Sequence, residues 1–197
     1  MLSVHDLEIR VGARVLMSDV TFRVGAGDKV GLVGRNGAGK TTLTKVLSGD
    51  LLPAAGRVDR SGELGYLPQD PRSGNPEDLA RTRILDARGL GQLAIGMHEA
   101  SLAMGDDDAD VAARAMRRYG SLTERFEALG GYAAEAEAAS IAHNLALPDR
   151  ILDQPLSTLS GGQRRRIELA RILFSDAQTM ILDEPTNHLD ADSVVWL

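Results

Sequence analysis

Apolar and polar residues alternate in two stretches near the start of the chain, and this pattern predicts two strands. Residues 2–11 carry Leu7, Ile9 and Val11 at every second position, and the alternation returns over residues 20–24. Side chains of a strand point to opposite faces in turn, so such a pattern places one face on a core and the other in solvent. A glycine-containing turn separates the stretches, so we expect an antiparallel pair.

Mostly apolar runs over residues 29–33 and 179–182 predict two buried strands. Between them, residues 42–47 have the pattern of a helix, residues 53–56 are expected to form a loop, and residues 62–67 a short strand. Strands that alternate with helices in this way are typical of a mostly parallel sheet, which predicts the α/β class.

The middle of the chain has a different composition. Residues 70–158 are rich in Ala, Leu, Arg and acidic residues and poor in β-branched ones, which favours helices. Separate helices are predicted over residues 111–119 and 121–129. We therefore expect a helical subdomain that is inserted into the α/β core.

The composition limits the class of protein. The chain has 197 residues, no cysteine and a formal net charge of −6. The first residues lack the basic and apolar regions of a signal peptide, and no apolar run approaches the roughly twenty residues that span a bilayer. The negative charge disfavours a uniformly basic nucleic-acid binder. We expect a soluble, cytoplasmic protein.

A glycine-rich stretch at residues 34–41 fits the pattern G-x-x-x-x-G-K-[ST], the phosphate-binding loop. Its glycines let the backbone turn tightly and point N–H groups at an anion, and the following helix adds the positive end of its dipole. Lys40 supplies a cation for the β- and γ-phosphates, and Thr41 a hydroxyl for Mg²⁺. The predicted nucleotide-binding residues are Gly34, Arg35, Asn36, Gly37, Ala38, Gly39, Lys40, Thr41 and Thr42.

Two acidic residues follow the apolar run that ends at Leu182. Asp183 closes the predicted strand, where a carboxylate beside a phosphate loop can hold Mg²⁺ with its waters. Glu184 comes next and can polarise an attacking water as a general base, although an ordinary loop acid is the alternative. Together with the loop, the pair indicates nucleotide hydrolysis.

A second phosphate-binding surface is predicted at residues 159–163. Ser160 is expected to cap a helix that runs to about Phe174, and Gly161 and Gly162 leave the first N–H groups of this helix open to an anion. One chain does not need two such surfaces for a single γ-phosphate. The helix end is therefore expected to face a nucleotide that another domain holds.

In their order along the chain, these motifs resemble those of the ATP-binding-cassette ATPases. The matches are residues 34–41 to Walker A, Gln69 to the Q-loop, residues 159–163 to the signature, residues 180–184 to Walker B and residues 187–190 to the D-loop. The resemblance implies an ATPase that uses ATP and Mg²⁺. It also implies a head-to-tail sandwich with a second ATP-binding cassette, in which each ATP lies between one Walker A motif and the opposing signature.

The resemblance further implies roles for single residues. Gln69 is expected to contact metal and water, Asp183 to bind Mg²⁺ together with Thr41, and Glu184 to be the general base. The residues expected to contact the nucleotide of the opposing cassette are Ser160, Gly161, Gly162, Gln163 and Asp190.

The position that stacks on adenine departs from the family's common pattern. Where family members often have an aromatic residue, this chain has Val11, and Arg10 and Arg14 are the alternatives. The switch histidine of the family, which is expected well beyond the D-loop, is not found in this sequence. His188 is not that residue, because it belongs to the D-loop.

Residues 182–190 resemble the ABC-F proteins, which have no transmembrane domain and act on ribosomes, and which carry an extra helical arm. The resemblance predicts a P-loop NTPase core over residues 1–69 and 156–197, whose last strands are expected to be missing, and an inserted subdomain over 70–155 with an arm near 88–125. The implied function is ATP hydrolysis on the ribosome and its RNA, in translation or in antibiotic protection. The alternatives are the ATPase subunit of a membrane exporter and a regulatory module that binds nucleotide without turnover.

Two further charge patterns have ordinary interpretations. Asp106, Asp108 and Asp110 have the 1-3-5 spacing of a calcium loop, but the Gly and Glu needed at positions six and twelve are missing, so a solvated acidic loop is expected. Residues 164–166 are three arginines. Adjacent residues of a helix point in different directions, so an exposed flank of the signature helix is expected rather than an RNA contact.

Overall fold

The computed structural model describes residues 1–69, 74–187, 189 and 191–196. These residues form two compact units. The first contains residues 1–69 and 177–187, and the second contains residues 74–176 together with 189 and 191–196. The predicted phosphate loop, Gln69, Asp183 and Glu184 belong to the first unit, whereas the predicted signature belongs to the second.

The first unit begins with a three-stranded antiparallel sheet. Strand β1 (Leu2–Val11) lies between β2 (Arg14–Val24) and β3 (Ala55–Arg60). The pairing of β1 with β2 confirms the antiparallel pair that the alternating pattern predicts. Every side chain that β1 buries is apolar, and these residues are Leu2, Val4, Leu7 and Ile9.

Residues 53–56 were predicted to form a loop, but a strand that the sequence analysis did not predict, β3, already begins at Ala55. Gly56 explains the difference. It has a φ of 79°, and a Cβ atom at this position would collide with the backbone oxygens of His5 and Asp6. A glycine that looks like a loop signal thus permits the close approach of β3 to β1.

Helix α1 (Lys40–Ser48) and two parallel strands complete the first unit. Strand β4 (Leu64–Leu67) pairs with β5 (Thr179–Leu182), which confirms both predicted strands. One apolar core joins β1, α1 and β5. Its buried members are Leu2, Val4, Leu7, Ile9, Leu43, Val46, Leu47 and Ile181.

The prediction of a buried strand over residues 29–33 is wrong. This segment has no regular structure, and Val30 and Val33 are 68% and 93% exposed. An apolar run favours a strand, but a strand also needs a hydrogen-bonded neighbour. In the described part of the chain, β4 pairs directly with β5, and β1 pairs with β2 and β3.

The second unit is helical, as predicted for the middle of the chain. Its α-helices are α2 (Ala80–Leu85), α3 (Gly91–Ala103), α4 (Ala109–Ala128), α5 (Gly131–Asn144), α6 (Asp149–Leu152), α7 (Gly161–Phe174) and α8 (Ala191–Trp196). Short 3₁₀ turns cover Asp86–Arg88 and Leu156–Thr158. Its most deeply buried large side chains are Ile84, Leu85, Phe126, Leu145, Leu147, Leu152, Ile167, Leu169, Ile172 and Phe174.

The two helices predicted over residues 111–119 and 121–129 are one helix, α4. Gly120 lies inside it and costs about 1 kcal/mol relative to alanine, which packing against α3 offsets. Asp108 is the N-cap and accepts hydrogen bonds from the N–H groups of Asp110 (2.8 Å) and Val111 (3.3 Å). The acidic loop therefore begins a helix. Among the described residues, no helix is both long and apolar enough to cross a membrane.

Candidate functional site

The predicted phosphate loop leads directly into α1. Gly37 and Gly39 have φ angles of 78° and 92°, a conformation that favours glycine. A Cβ atom on Gly39 would press against the side chains of Leu16 at 3.2 Å and Met17 at 3.3 Å. Gly39 is also the N-cap of α1, and in the described chain no side chain caps this helix end. The first N–H groups of α1 thus have no side-chain cap, and together with the positive end of the helix dipole they suit an anion.

The side chain of Lys40 folds back over the loop. Its Nζ donates to the carbonyl oxygens of Gly34 at 2.8 Å and Arg35 at 3.1 Å. The N–H of Ala38 closes the turn onto the Arg35 oxygen at 3.1 Å. An ammonium group has three donors, so a donor beyond these two can reach a phosphate.

A cavity of about 490 Å³ opens beside the loop within the first unit. Cavities of roughly 300–1,000 Å³ are typical of small-molecule sites. The wall brings together eight of the residues predicted from the sequence: Asn36, Gly37, Gly39, Lys40, Thr41, Thr42, Gln69 and Glu184. Gln69 and Glu184, which are far apart in the sequence, thus meet at the phosphate loop.

Parallel pairing explains why these distant residues meet. Leu67 is in register with Leu182, and the N–H of Asp183 donates to the Leu67 oxygen at 3.0 Å. The residues that follow β4 and β5 therefore leave the sheet at the same edge. Asp183 is only 5% exposed. Burial raises the pKa of the Tyr66 phenol on β4, and the negative charge of Asp183 adds to the rise.

The carboxylate of Glu184 is held by two amide side chains. Its Oε2 accepts hydrogen bonds from Asn187 Nδ2 at 2.7 Å and from Gln69 Nε2 at 3.4 Å. Glu184 has a φ of 51°, in the left-handed region, which sets the direction of its side chain. Asn187 was assigned to the D-loop but not to the site. Asn187 could have been found from its spacing, because it lies three residues after Glu184. This spacing forms a turn, in which the backbone N–H of Asn187 donates to the backbone carbonyl oxygen of Glu184 at 3.2 Å.

The donor set near the loop fits Mg²⁺. Thr41 offers a hydroxyl, Gln69 an amide oxygen and Asp183 a carboxylate, which are the hard oxygen ligands that this ion prefers. A cluster of three His, Cys, Asp or Glu side chains able to hold a metal is not found among the described residues. Mg²⁺ often takes one or two carboxylates and completes its shell with waters and phosphate oxygens, so a set with a single carboxylate is compatible with this ion.

The structure separates the candidates for the adenine contact. Val11 and Arg14 lie on the cavity wall with Leu16, and Val11 is 56% exposed. Arg10 forms an ion pair with Glu8 instead. A guanidinium plane can stack on an aromatic ring, so Arg14 offers what an aromatic residue would supply.

The predicted signature forms the start of α7 in the second unit. Ser160 is the N-cap, as predicted, and its hydroxyl accepts from the Gln163 N–H at 3.2 Å. The Gln163 side chain accepts in return from the Ser160 N–H at 2.9 Å, which completes a capping box. Gly161 has open space where a Cβ would lie. The Gln163 side chain is thus used locally, while the surface of the helix end is formed by backbone. Asp190 and His188 lie outside the described residues.

The expectation of an exposed arginine flank on α7 is wrong for two of its three residues. Arg164 is exposed, but Arg165 is only 7% exposed. Arg166 Nη1 donates to the carbonyl oxygens of Leu145 at 3.2 Å and Ala146 at 3.1 Å. Carbonyl groups at the C-terminus of a helix have no hydrogen-bond partner within the helix. Arg166 supplies a donor to the carbonyls of the two residues that follow α5.

A buried acidic residue fixes α7 to α2. Glu168, which is 4% exposed, accepts from Arg83 Nε at 2.6 Å and from Arg171 Nε at 2.8 Å. Arg83 also reaches the second carboxylate oxygen at 3.2 Å. Two cations therefore compensate one buried anion, and the contact holds the helix that carries the signature.

A second ion pair lies near the C-terminal end of α7. Arg88 binds both carboxylate oxygens of Glu137 on α5, at 2.7 and 2.9 Å, and its guanidinium lies 4.0 Å from the centre of the Phe174 ring. The hydrogen bond with Arg88 lowers the pKa of Glu137. The middle and the C-terminal end of α7 are thereby tied to neighbouring elements of the second unit.

We expect Glu168→Gln to lower the free energy of unfolding by about 3 kcal/mol, because it leaves two arginines around a neutral group in the core. Urea denaturation of the purified chain measures this change. Glu127→Gln is the matched control, since Glu127 is exposed on α4, and it should change the value by less than about 0.5 kcal/mol. Equal losses in the two variants would contradict a stabilising role for the cluster.

Comparisons with a family profile and with known sequences agree on one family. The profile described as "ABC transporter" matches residues 17–187. The tylosin resistance ATP-binding protein TlrC of Streptomyces fradiae is 40% identical over 206 residues, which cover 100% of this chain and 36% of the relative. The energy-dependent translational throttle protein EttA of Escherichia coli (strain K12) is 36% identical over 187 residues, which cover 93% and 33%. The chain thus spans about a third of the length of these relatives.

Solved structures agree on the fold. An ATP-binding subunit of an ABC transporter has a TM-score of 0.70 at 22% identity, and the match covers 99% of this chain and 70% of that chain. The ATP-binding cassette MJ0796, a dimer bound to ADP and Pi after hydrolysis, has a TM-score of 0.64 at 19% identity, with 98% and 78% covered. These likenesses confirm the predicted α/β fold class.

Proposed function

Because this chain belongs to the ABC transporter family of ATPases, we propose that it is the ATP-binding and ATP-hydrolysing cassette of an ABC-F type protein that acts on the ribosome. The observation that carries the ATPase part is the cavity in which the phosphate loop, Gln69 and Glu184 meet. The ribosome part is supported by two relatives, one named for tylosin resistance and one for translational throttling. A role in translation or antibiotic protection, in the cytoplasm, follows from this proposal.

ATP is proposed to bind with its phosphates at the start of α1. The N–H groups of the loop and of the first helical turn receive the phosphate oxygens, and Lys40 adds a charged donor. Asn36, Thr41 and Thr42 line the same wall. The adenine lies toward Val11 and Arg14, where the guanidinium supplies the stacking surface.

Hydrolysis is proposed to begin when Glu184 accepts a proton from a water. The water oxygen bonds to the γ-phosphorus while the bond from this phosphorus to the β–γ bridging oxygen breaks, and ADP leaves with that oxygen. Asn187 and Gln69 hold the Glu184 carboxylate in place. When bound by Thr41, Asp183 and Gln69, Mg²⁺ would neutralise charge on the β- and γ-phosphate oxygens.

The signature is proposed to complete the site of a second ATP-binding cassette, whether in the same protein or in another copy. The glycine N–H groups at the start of α7 suit the γ-phosphate of an opposing ATP, and Ser160 and Gln163 hold this helix end in shape. Asp190 is proposed to contact the same nucleotide. The dimeric state of the MJ0796 cassette supports this arrangement.

The helices α3 and α4 are proposed to form the arm of the ABC-F type. They pack against each other, Arg118 Nη2 lies 3.0 Å from Glu99 Oε2, and Leu122 lies against Gly96. Their residues fall largely within the range of 88–125 that the resemblance predicts for an arm. The inserted subdomain over 70–155 is part of the same proposal.

The ribosome role predicts nucleotide-dependent binding. The protein expressed from its complete reading frame should sediment with purified ribosomes in the presence of a non-hydrolysable ATP analogue, and about tenfold less in ADP, because only the triphosphate closes the sandwich. Sedimentation through a sucrose cushion, followed by immunoblotting, measures the bound fraction.

A Lys40→Ala variant of the same protein is the control, and it should not respond to the analogue. An equal ribosome-bound fraction in the ATP analogue and in ADP would contradict the proposed role on the ribosome. Recovery of the protein with a membrane-spanning partner would instead favour the ATPase subunit of an exporter.

A further inference from the structure

Arg60, at the end of β3, contacts the far end of the helix that carries the phosphate loop. Its Nε donates to the carbonyl oxygen of Leu47 at 2.8 Å, and its Nη2 donates to that of Val46 at 2.8 Å. Both carbonyls belong to the last turn of α1. The guanidinium also packs against Gly49, where a Cβ atom would lie 3.4 Å from Nη2.

The last turn of α1 is thus capped from two sides. Gly49 has a φ of 96°, and its N–H donates to the carbonyls of Lys45 at 3.1 Å and Val46 at 3.2 Å. Arg60 Nε donates the hydrogen bond to the Leu47 carbonyl oxygen. A cation at a helix C-terminus also interacts favourably with the negative end of the helix dipole. The described contacts therefore satisfy the carbonyls of three consecutive residues.

The first turn of α1 is built in the opposite way. Gly39 is the N-cap, and in the described chain no side chain bonds to the first N–H groups. A helix of nine residues is marginal by itself, because nucleation costs more than so short a segment returns. A helix whose first turn must stay open for phosphate therefore depends on packing and on its last turn.

We propose that Arg60 is a positioning residue for the phosphate loop, because it fixes α1 on the three-stranded sheet through the helix C-terminus. Strand β3 pairs with β1, where Arg60 is in register with Leu2. The two hydrogen bonds from Arg60 to the carbonyls of α1, called the clamp below, therefore join the helix to the three-stranded sheet. Arg60 acts through α1 and has no direct contact with the nucleotide in this proposal. The inference rests on the proposed nucleotide site.

Ordering of α1 and binding of phosphate are linked in this arrangement. Without the clamp, α1 would sample frayed conformations, and ATP would bind only the fraction in which the first turn is formed. Affinity for ATP would fall by the same factor. A residue that only stabilised the fold would change the unfolding temperature but not the ATP affinity of the folded chain.

Arg60→Met keeps the length and apolar stem of the side chain but removes its donors, and it should raise the Kd for ATP about fivefold to tenfold. Isothermal titration calorimetry measures the Kd. Hydrogen exchange of the nucleotide-free chain, read by mass spectrometry, should become faster in peptides covering residues 40–48 and stay unchanged in those covering β1. Arg60→Lys, which restores one charged donor, should give intermediate values of both quantities.

Arg57→Met is the matched control, because Arg57 lies on the same strand and its Nε bonds to Asp59 at 3.1 Å. It should leave both readouts unchanged. ATP affinity of Arg60→Met equal to that of Arg57→Met, or exchange that is faster to the same degree in β1, would overturn the clamp. Absence of ATP binding by the wild-type chain would instead overturn the proposed nucleotide site, and the exchange comparison alone would then decide on the clamp.

Discussion

Replacing Lys40 with alanine is expected to weaken ATP binding more than 100-fold. Lys40 is held over the loop by the carbonyls of Gly34 and Arg35, at 2.8 and 3.1 Å, so its charge is already in place before a nucleotide arrives. Removal of the side chain deletes charge-assisted hydrogen bonds to the phosphates and leaves two loop carbonyls without this donor. Calorimetric titration with ATP measures the loss. Thermal stabilisation by ATP should disappear in parallel.

Lys45→Ala provides the matched control for this experiment. Lys45 lies on the same helix, is exposed and belongs to its last turn, so its removal should change the ATP affinity less than about twofold. If Lys40→Ala keeps an affinity within threefold of the wild-type value, residues 34–41 are not a phosphate-binding loop.

Glu184→Gln is expected to reduce ATP turnover at least 100-fold without weakening ATP binding. Loss of a general base typically costs about 10²–10⁴ in rate. The glutamine oxygen can still accept the hydrogen bond that Asn187 donates at 2.7 Å, so the geometry of the turn is kept and only the basic oxygen is lost. Phosphate release at saturating ATP measures turnover, and calorimetry measures the Kd.

Glu63→Gln, an exposed acid in the same unit, should retain wild-type values of both quantities. Normal phosphate release by Glu184→Gln would show that another group takes the proton. A wild-type protein that binds ATP and releases no phosphate would favour a regulatory nucleotide-binding module over an ATPase.

Features defined by local sequence were predicted well. Helix α7 begins after Ser160 and ends at Phe174, as expected, because a capping box fixes its start within four residues. The parallel strands β4 and β5 follow from short apolar runs with acidic or polar residues after them. The motif at residues 34–41 also predicted the turn that leads into α1, since its glycines have the positive φ angles that the pattern requires at Gly37 and Gly39.

Features that depend on distant partners could not be predicted from the sequence. Residues 29–33 have the apolar pattern of a strand, yet they form none, because β4 pairs with β5 directly. The burial of Arg165 and the contact of Arg166 with the end of α5 depend on how α7 packs, which the run of three arginines does not reveal. The contact between Arg60 and α1 likewise joins residues that no motif connects.

The capping box at Ser160 and Gln163 has a consequence for how a composite site would work. The first turn of α7 is held by two hydrogen bonds between Ser160 and Gln163, of 3.2 and 2.9 Å. No side chain of the described residues caps the first turn of α1. In the proposed sandwich, each ATP would therefore lie between one helix start that has no side-chain cap and another whose first turn is fixed by its own side chains. The uncapped start would bind the phosphates directly, and the capped start would add its backbone N–H groups only where a γ-phosphate reaches them.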